Sequence, residues 1–586
     1  MMKPKHRAFL AFLVSLVVGC ASSFLVAGLW PGLFSRSLFF QVFLLGLVGL
    51  VGTIVCFLTL RLWAGRSESV RTALSADLPF SLAIRKVFLA GFLVFPLVLI
   101  FQRNMLEFFR LLGGGSVLDP SGAFGRVGGP NLFLAAIVAL SVALSGAVVR
   151  MKPSRKAWWE ALPDGYYIAA IVLVGTIIRL FLIQSIDTQP SSDFLLIHKD
   201  AVGIANGVWP DNVYAATHVV ITVLFSYLYR IFGPSVIVIK VFNLLLYVLS
   251  GVLVYYAGRL IFENRFWAAL AALLLVAWPS LAIYSNVLTP EHVFVFLECL
   301  LLLVLAVFFK QNKSIEPVRA TRYLPWFLLV GILFGLSGLF RPFSELFLVA
   351  FVITLLVYGY GVHRGTILPL LFGLTALLAP FFLLGRLPQA IVDRSYHVDM
   401  PNIRPCNLLV GLNPKSSGQW NMDDYYLCRG FRIQSRDGSE YMSKVLSVVK
   451  DRLDDSKNQL LAFLGAKFSI LWTNNYSIVS WGTQTVSGGN PTFILNMAQS
   501  LSLLDFALTL LLLAFAVIGA ILALLLDVKP IIFFSMLAFF GFNLMEIPFE
   551  VQARYRTVVI PLLIVLACWA LSALQARSSG HMSDTK

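Results

Sequence analysis

The stretch YYIAAIVLVGTIIRLFLIQSIDTQPSSDF, residues 166–194, decides the fold. Its first part, Tyr166 to Gln184, is an apolar run of the length that crosses a hydrocarbon layer of about 30 Å as a helix. In lipid every backbone N–H and C=O must be bonded within its own segment, so the run is helical. It gives way to a polar loop that carries Ser192-Asp193-Phe194. An acid left at a membrane boundary is rare and usually functional. Asp193 is therefore the first candidate for chemistry, although a loop acid or a helix cap has the same residue type.

The rest of the chain has the same character. Of 586 residues, 59% are hydrophobic and only 13% are charged, with mean hydropathy +0.84. A soluble domain is about half apolar and about a quarter charged, so this composition excludes one. The net charge of +16 is not a nucleic-acid signature, because most Lys and Arg lie in short loops between apolar runs. There they set orientation and meet anionic headgroups. Nucleic acid is not an expected partner; membrane lipid is.

Lys3, Lys5 and Arg7 place the N-terminus on the cytoplasmic side. The first apolar run is long and lacks a small-residue cleavage site before the next, so it reads as a retained helix. Runs near 8–29, 38–60, 86–102 and 131–149 form an N-terminal four-helix membrane module, 1–150, whose role the sequence does not state. Its loops carry Arg61, Arg66, Arg71, Arg85 and Lys86, then Arg150, Lys152, Arg155 and Lys156, all read as cytoplasmic. The span 166–184 then runs outward and delivers Asp193 to the outer face.

The amphipathic run near 214–231 is read as a helix lying along the outer interface, since a crossing there would put the next basic loops outside. Further spans follow near 234–260, 266–285, 292–310, 324–341, 343–361 and 366–385, within a module of residues 151–385. Residues 386–500 make a large polar extracytoplasmic loop region with Gly, Pro and Asn turn signals. The apolar piece 459–473 is expected to pack on the outer surface. Residues 501–586 add spans near 503–526, 531–546 and 557–576 and a cytoplasmic tail. The expected fold is an all-α polytopic membrane protein, a bundle of about fourteen transmembrane helices with outer juxtamembrane helices.

With that parity, four polar groups collect on the outer side. They are the loop with Asp193, His198, Lys199 and Asp200; Thr289-Pro290-Glu291; Arg341-Pro342; and Glu546 through Arg556. They are far apart in sequence, and a bundle is able to converge them into one cavity.

These pieces carry a family resemblance. Asp193 through Ala201, Ile204, Ala205 and Gly207, then Phe232-Gly233, Tyr256 with Arg259-Leu260, Thr289-Pro290-Glu291, Leu339-Phe340-Arg341-Pro342, and Ala553-Arg554-Tyr555-Arg556 followed by Pro561, resemble the GT-C glycosyltransferases. Within these the chain looks like the branch of protein O-mannosyltransferases and lipid A aminoarabinose transferases. The resemblance covers about 166–385 and, loosely, the final spans; residues 1–150 lie outside it. It implies a GT-C-like bundle and a transferase that moves a sugar from a polyprenyl-phosphate-linked donor to a hydroxyl acceptor (protein, lipid or glycan) on the outer face. A bacterial carrier would be undecaprenyl phosphate, in a multi-pass protein of the plasma or inner membrane.

The chemistry explains the residue types. The acceptor hydroxyl needs a base as it attacks the anomeric carbon, and Asp193 would supply it. The departing lipid phosphate needs fixed cations, and Arg341, Lys199 and Arg554 are the candidates. Direct displacement would invert the anomeric centre. Glu291, Tyr555, Trp420 and Asn421 are candidates for sugar or acceptor contacts. The family often carries a second acid beside its Asp; here Ser192 and Phe194 flank it, so a metal-independent reaction without cofactor is expected.

Plainer roles stand beside these. Glu291 also suits a helix first turn, and Arg341, Arg554 and Arg556 suit interfacial anchoring. His198 and His218 read as structural. Cys406 and Cys428 share the polar loop region and would pair if it is extracytoplasmic, or stay as two free thiols. Rival classes are an O-antigen-ligase-like glycan transferase, kept open by the 386–500 region, and a lipid or glycolipid flippase or transporter. The second is disfavoured because no inverted repeat is visible and the polar residues crowd one face.

Overall fold

The structure is a computed structural model that describes residues 162–210, 217–312, 320–358, 367–395, 404–473, 475–488 and 490–578. The expected N-terminal module, with its four spans, lies outside the described residues. The regular secondary structure among the described residues is all helical, apart from one isolated β-bridge between Thr188 and Val486.

The first helices are α1 (Asp164–Ser185), α2 (Ser192–Ala205), α3 (Val219–Phe232), α4 (Val236–Phe262), α5 (Arg265–Val276), α6 (Pro279–Tyr284) and α7 (Glu291–Gln311). Then come α8 (Ala320–Gly338), α9 (Ser344–Val357), α10 (Ile367–Gly385), α11 (Leu387–Ser395), α12 (Arg404–Gly411), α13 (Met422–Gln434) and α14 (Gly438–Asp455). The last are α15 (Leu460–Thr473), α16 (Asn475–Thr483), α17 (Pro491–Leu525), α18 (Pro530–Met545) and α19 (Ile560–Ser578), the last entered through a 3₁₀ turn at Ala553–Val559.

Six stretches among the described residues are long and apolar enough to cross a bilayer: Asp164–Ser185, Val236–Phe262, Glu291–Gln311, Phe372–Ser395, Pro491–Leu524 and Ala553–Ala576. Other apolar helices are shorter, among them Arg265–Val276, Tyr323–Gly338, Ser344–Val357 and Pro530–Met545. The membrane bundle is built by α4 packing on α5 and α7, α8 lying along α10, α17 on α19, and α9 on α18. Small residues permit the close approaches. A Cβ on Gly251 of α4 would stand 2.4 Å from Val276, and one on Gly258 2.9 Å from the backbone of Ala268. Phe294, Phe308, Phe334 and Phe351 fill the interior without exposure.

The expected crossing at 266–285 is broken. Helix α5 stops at Val276, Trp278 is extended (φ −60, ψ 121), and Pro279 begins α6. Proline has no N–H to continue the ladder and pushes the residue before it out of the helical region. Helix α17 starts at Pro491, well before the expected 503. Asn490 caps it by accepting from the N–H groups of Thr492 and Phe493, a start whose flanking residues are too polar to register as a span.

The described part of the 386–500 region is not a loop but a set of helices that forms a cap. Helices α12 to α14 enclose a small core of Leu409, Cys428, Tyr441, Val445 and Val449. Cys406 and Cys428 form a disulfide with Cα atoms 5.6 Å apart. Inside the cap Arg452 reaches Asp424 at 2.5 Å and the Leu409 carbonyl at 2.9 Å.

Candidate active site

The four polar groups foreseen from the sequence sit at matching helix ends. Asp193 follows the end of α1, Glu291 opens α7, Arg341 follows α8, and Arg554 precedes α19. Helix direction therefore brings them to one end of the bundle.

Asp193 is half-buried in the first turn of α2. The N-cap is Ser191, and its side chain makes no capping bond. Ser192, directly before the acid, has φ +50, a left-handed conformation that L side chains adopt at a cost. Strain of this kind collects at functional sites. Phe194 is buried and meets Trp481 of α16 edge-on, ring centroids 5.3 Å apart.

Arg554 completes this corner. Its guanidinium carbon lies 5.4 Å from the Phe194 ring, 5.3 Å from Trp481 and 5.6 Å from Tyr555. The side chain is 7% exposed, and its Nε has no partner among the described residues. Asp193 and Glu291 both act on it through charge. A buried guanidinium held by aromatic faces, with no carboxylate hydrogen-bonded to it among the described residues, is set up to receive an anion.

Arg341 is differently engaged. It is ion-paired to Glu291, and its guanidinium carbon lies 5.7 Å from the Tyr555 ring. Tyr555 thus contacts both guanidinium groups. Glu291 is fully buried; it also accepts from Thr289 Oγ1 and from the Tyr284 hydroxyl at 3.4 Å. This carboxylate does more than favour a helix start, because it fixes an arginine.

Two further acids lie in the irregular segment between α18 and the last turn. Burial pushes the Glu546 carboxyl up to about 8. Burial also raises Glu550, and the Asp193 carboxylate works in the same direction, while a hydrogen bond from Gln552 opposes them. Their sequence signal was the acid- and arginine-rich run 546–556, which names no role for either.

The other candidates separate from this cluster. Lys199 is exposed on α2. Trp420 is 52% exposed and its ring contact is with Tyr425. Asn421 is the N-cap of α13, accepting from the Asp424 N–H at 2.9 Å and donating to its carboxylate at 2.8 Å. Among the described residues none of these three has a recorded contact with Asp193. Arg556 is no interfacial anchor: it is fully buried, paired with Asp505 at 2.7 Å and bonded to the Leu471 carbonyl at 2.9 Å. His198, on the same helix as Asp193, has its Nδ1 2.8 Å from the Tyr229 hydroxyl. Among the described residues no three His, Cys, Asp or Glu side chains are grouped to hold a metal ion.

Fold and site define a polytopic helical membrane protein with an acid and two arginines gathered at one end of the bundle. Residues 219–384 match the family model of dolichyl-phosphate-mannose-protein mannosyltransferases. That match contains Glu291 and Arg341 and stops short of Asp193 and Arg554. No curated protein matches the chain. Among solved structures, it is similar to the Archaeoglobus fulgidus oligosaccharyltransferase tethered to an acceptor peptide, with TM-score 0.37 and 14% identity over 70% of this chain and 49% of that one. The chain thus spans about half the length of that protein. It is also similar to ArnT from Cupriavidus metallidurans bound to undecaprenyl phosphate, with TM-score 0.29 and 14% identity over 71% of this chain and 78% of that one.

Proposed function

We propose that the protein is a membrane glycosyltransferase of the GT-C type, taking a sugar from a polyprenyl-phosphate-linked donor and giving it to a hydroxyl acceptor on the extracytoplasmic face. The observation that carries this reading is the buried Arg554 guanidinium set against the ring of Phe194, the residue after Asp193, with its Nε unpartnered among the described residues. The proposed anion seat thus lies against the residue that follows the proposed base. The matched family model, named for a lipid-phosphate-linked sugar donor, supports the same class.

In the reaction the Asp193 carboxylate takes the proton of the acceptor hydroxyl as its oxygen bonds to the anomeric carbon. The bond from that carbon to the phosphate oxygen breaks, and the polyprenyl phosphate leaves with the electron pair. Arg554 meets the growing charge in a water-poor site where fixed cations count most. Arg341, already neutralised by Glu291, contributes less and shapes the pocket. One displacement inverts the anomeric centre, and no metal ion takes part.

The test uses purified protein in lipid nanodiscs with a labelled polyprenyl-phosphate sugar. Wild type is expected to release or transfer the sugar, with Asp193→Asn slower by a factor on the order of 100 to 10,000. Equal rates end the assignment. A product of retained configuration removes the single displacement, and activity abolished by EDTA and restored by manganese removes the metal-free reaction.

A further inference from the structure

We infer that Lys467 is a positioning residue for the active site: its buried ammonium pins the segment that carries Arg554 to the helical cap. The inference rests on the glycosyltransferase reading for its kinetic consequence and on the packing of the cap for its geometry.

Lys467 lies in α15 and is 3% exposed. Its Nζ donates to the carbonyl oxygens of Gly411 at 2.7 Å, Ile547 at 2.7 Å and Phe549 at 2.6 Å. An ammonium has three N–H bonds, and here each one finds an acceptor. Two of these acceptors belong to the irregular stretch between α18 and the 3₁₀ turn. It has no helical ladder, so its buried carbonyls need partners from elsewhere.

The same seam is closed by two backbone bonds, from Glu550 N to the Asn407 carbonyl at 3.1 Å and from Val551 N to the Gly418 carbonyl at 2.9 Å. It leaves no spare room. A Cβ on Gly411 would fall 2.1 Å from the carbonyl carbon of Phe549. Three residues beyond Val551 the chain reaches Arg554.

The cap holds the other half of the site too. Thr188 Oγ1 donates to the Gly482 carbonyl at 2.5 Å. Gln189 N donates to the Thr485 carbonyl at 2.8 Å, and Ser487 N to the Asp187 carbonyl at 3.1 Å. These bonds fix the segment leading to Asp193. The region between α11 and α17 therefore bonds both to the segment before the base and to the segment before the anion seat, and Lys467 makes the most bonds at the second. A shift of about 1 Å in such a group costs up to about a hundredfold in rate.

The experiment compares wild type, Lys467→Met, Gly411→Ala, and the surface control Lys444→Ala in nanodiscs. It measures kcat, acceptor KM and the affinity for polyprenyl phosphate. Lys467→Met and Gly411→Ala are each expected to lower kcat about tenfold to a hundredfold and to weaken polyprenyl phosphate binding, with acceptor KM unchanged. In an Arg554→Met background Lys467→Met should cost little more, because its effect runs through that arginine. Full additivity, or wild-type kcat and lipid phosphate affinity in both seam variants, overturns the inference. Gly411→Ala keeps the test available if Lys467→Met does not fold. A wild type that binds polyprenyl phosphate but transfers no sugar defeats the functional reading alone, and the affinity measurement still decides the role of Lys467.

Discussion

Glu291 and Arg341 are ion-paired across two helix ends, the first turn of α7 and the turn after α8, with the carboxylate fully buried. Removing one partner of a buried pair leaves an uncompensated charge, which costs about 3–5 kcal/mol. Arg341→Ala should therefore lower the thermal midpoint clearly. Glu291→Gln combined with Arg341→Met, which removes both charges, should recover most of it. Thermal unfolding in detergent checks this. A single variant as stable as wild type would mean that the pair is not maintained.

Arg554 behaves in the opposite way, because among the described residues no carboxylate is hydrogen-bonded to it. Its aromatic contacts hold it in place, and its charge waits for a ligand. Arg554→Met should keep the fold and lose activity by at least about a hundredfold, the cost of deleting one preorganised charge donor. Arg554→Lys should recover only part, since an ammonium lacks the planar fork that grips phosphate. Comparable turnover in all three proteins would move the anion seat elsewhere.

Much of this was legible in the sequence, and what was not has a physical reason. Apolar length located α1, α4 and α7, and basic loops put Asp193, Glu291, Arg341 and Arg554 on one side. Pairing was not legible, because which arginine meets Glu291 depends on how α7 and α8 cross, and no local pattern encodes that. The cap was misread as a loop because its helices are short and polar, held by caps such as Asp437 on Ser439 and Glu440 and by a disulfide rather than by an apolar stripe. Asn421, read as a candidate sugar or acceptor contact, is the N-cap of α13, a role that shows only once the helix start is placed. Lys467 sits in an apolar run where a lone lysine gives no hint of the three carbonyls around it.

Glu546 gives a pH dependence of stability. Burial raises its carboxyl from the usual carboxylate range near 4.5 to about 8. The folded state therefore holds this proton where the unfolded chain has lost it. Between pH about 4.5 and about 8, unfolding releases a proton and stability falls as pH rises; above about 8 the effect is complete. Glu546→Gln should flatten this part of the decline in thermal midpoint and make the variant the more stable protein at the alkaline end. Parallel curves for the two proteins would show that Glu546 ionises normally.

The disulfide should stabilise the cap and, through it, the seam at Lys467. It closes a loop with sequence separation 22, for which the chain-entropy contribution is about 3 kcal/mol. Replacing Cys406 and Cys428 together with Ser should lower the thermal midpoint and increase protease cleavage between α12 and α14. Reductant should act on wild type in the same direction and leave the double variant unaffected. Unchanged unfolding in the variant would show that the core of Leu409, Tyr441 and Val445 suffices.

Ser192 offers a test of the strain beside Asp193, the proposed base. Its φ of +50 is open to glycine without side-chain cost, whereas a β-branched residue there is disfavoured. Ser192→Gly should therefore keep kcat near wild type, because Asp193 still enters α2 at the same angle. Ser192→Val should cost about 1–2 kcal/mol, and the chain can relieve that cost only by rotating the first turn of α2. That rotation carries Asp193 away from Arg554, so kcat should fall while donor affinity, set by Arg554, holds. Equal loss of kcat in the glycine and valine variants would instead point to the serine hydroxyl, whose Oγ lies 3.5 Å from Asp193 Oδ1, as the feature that matters.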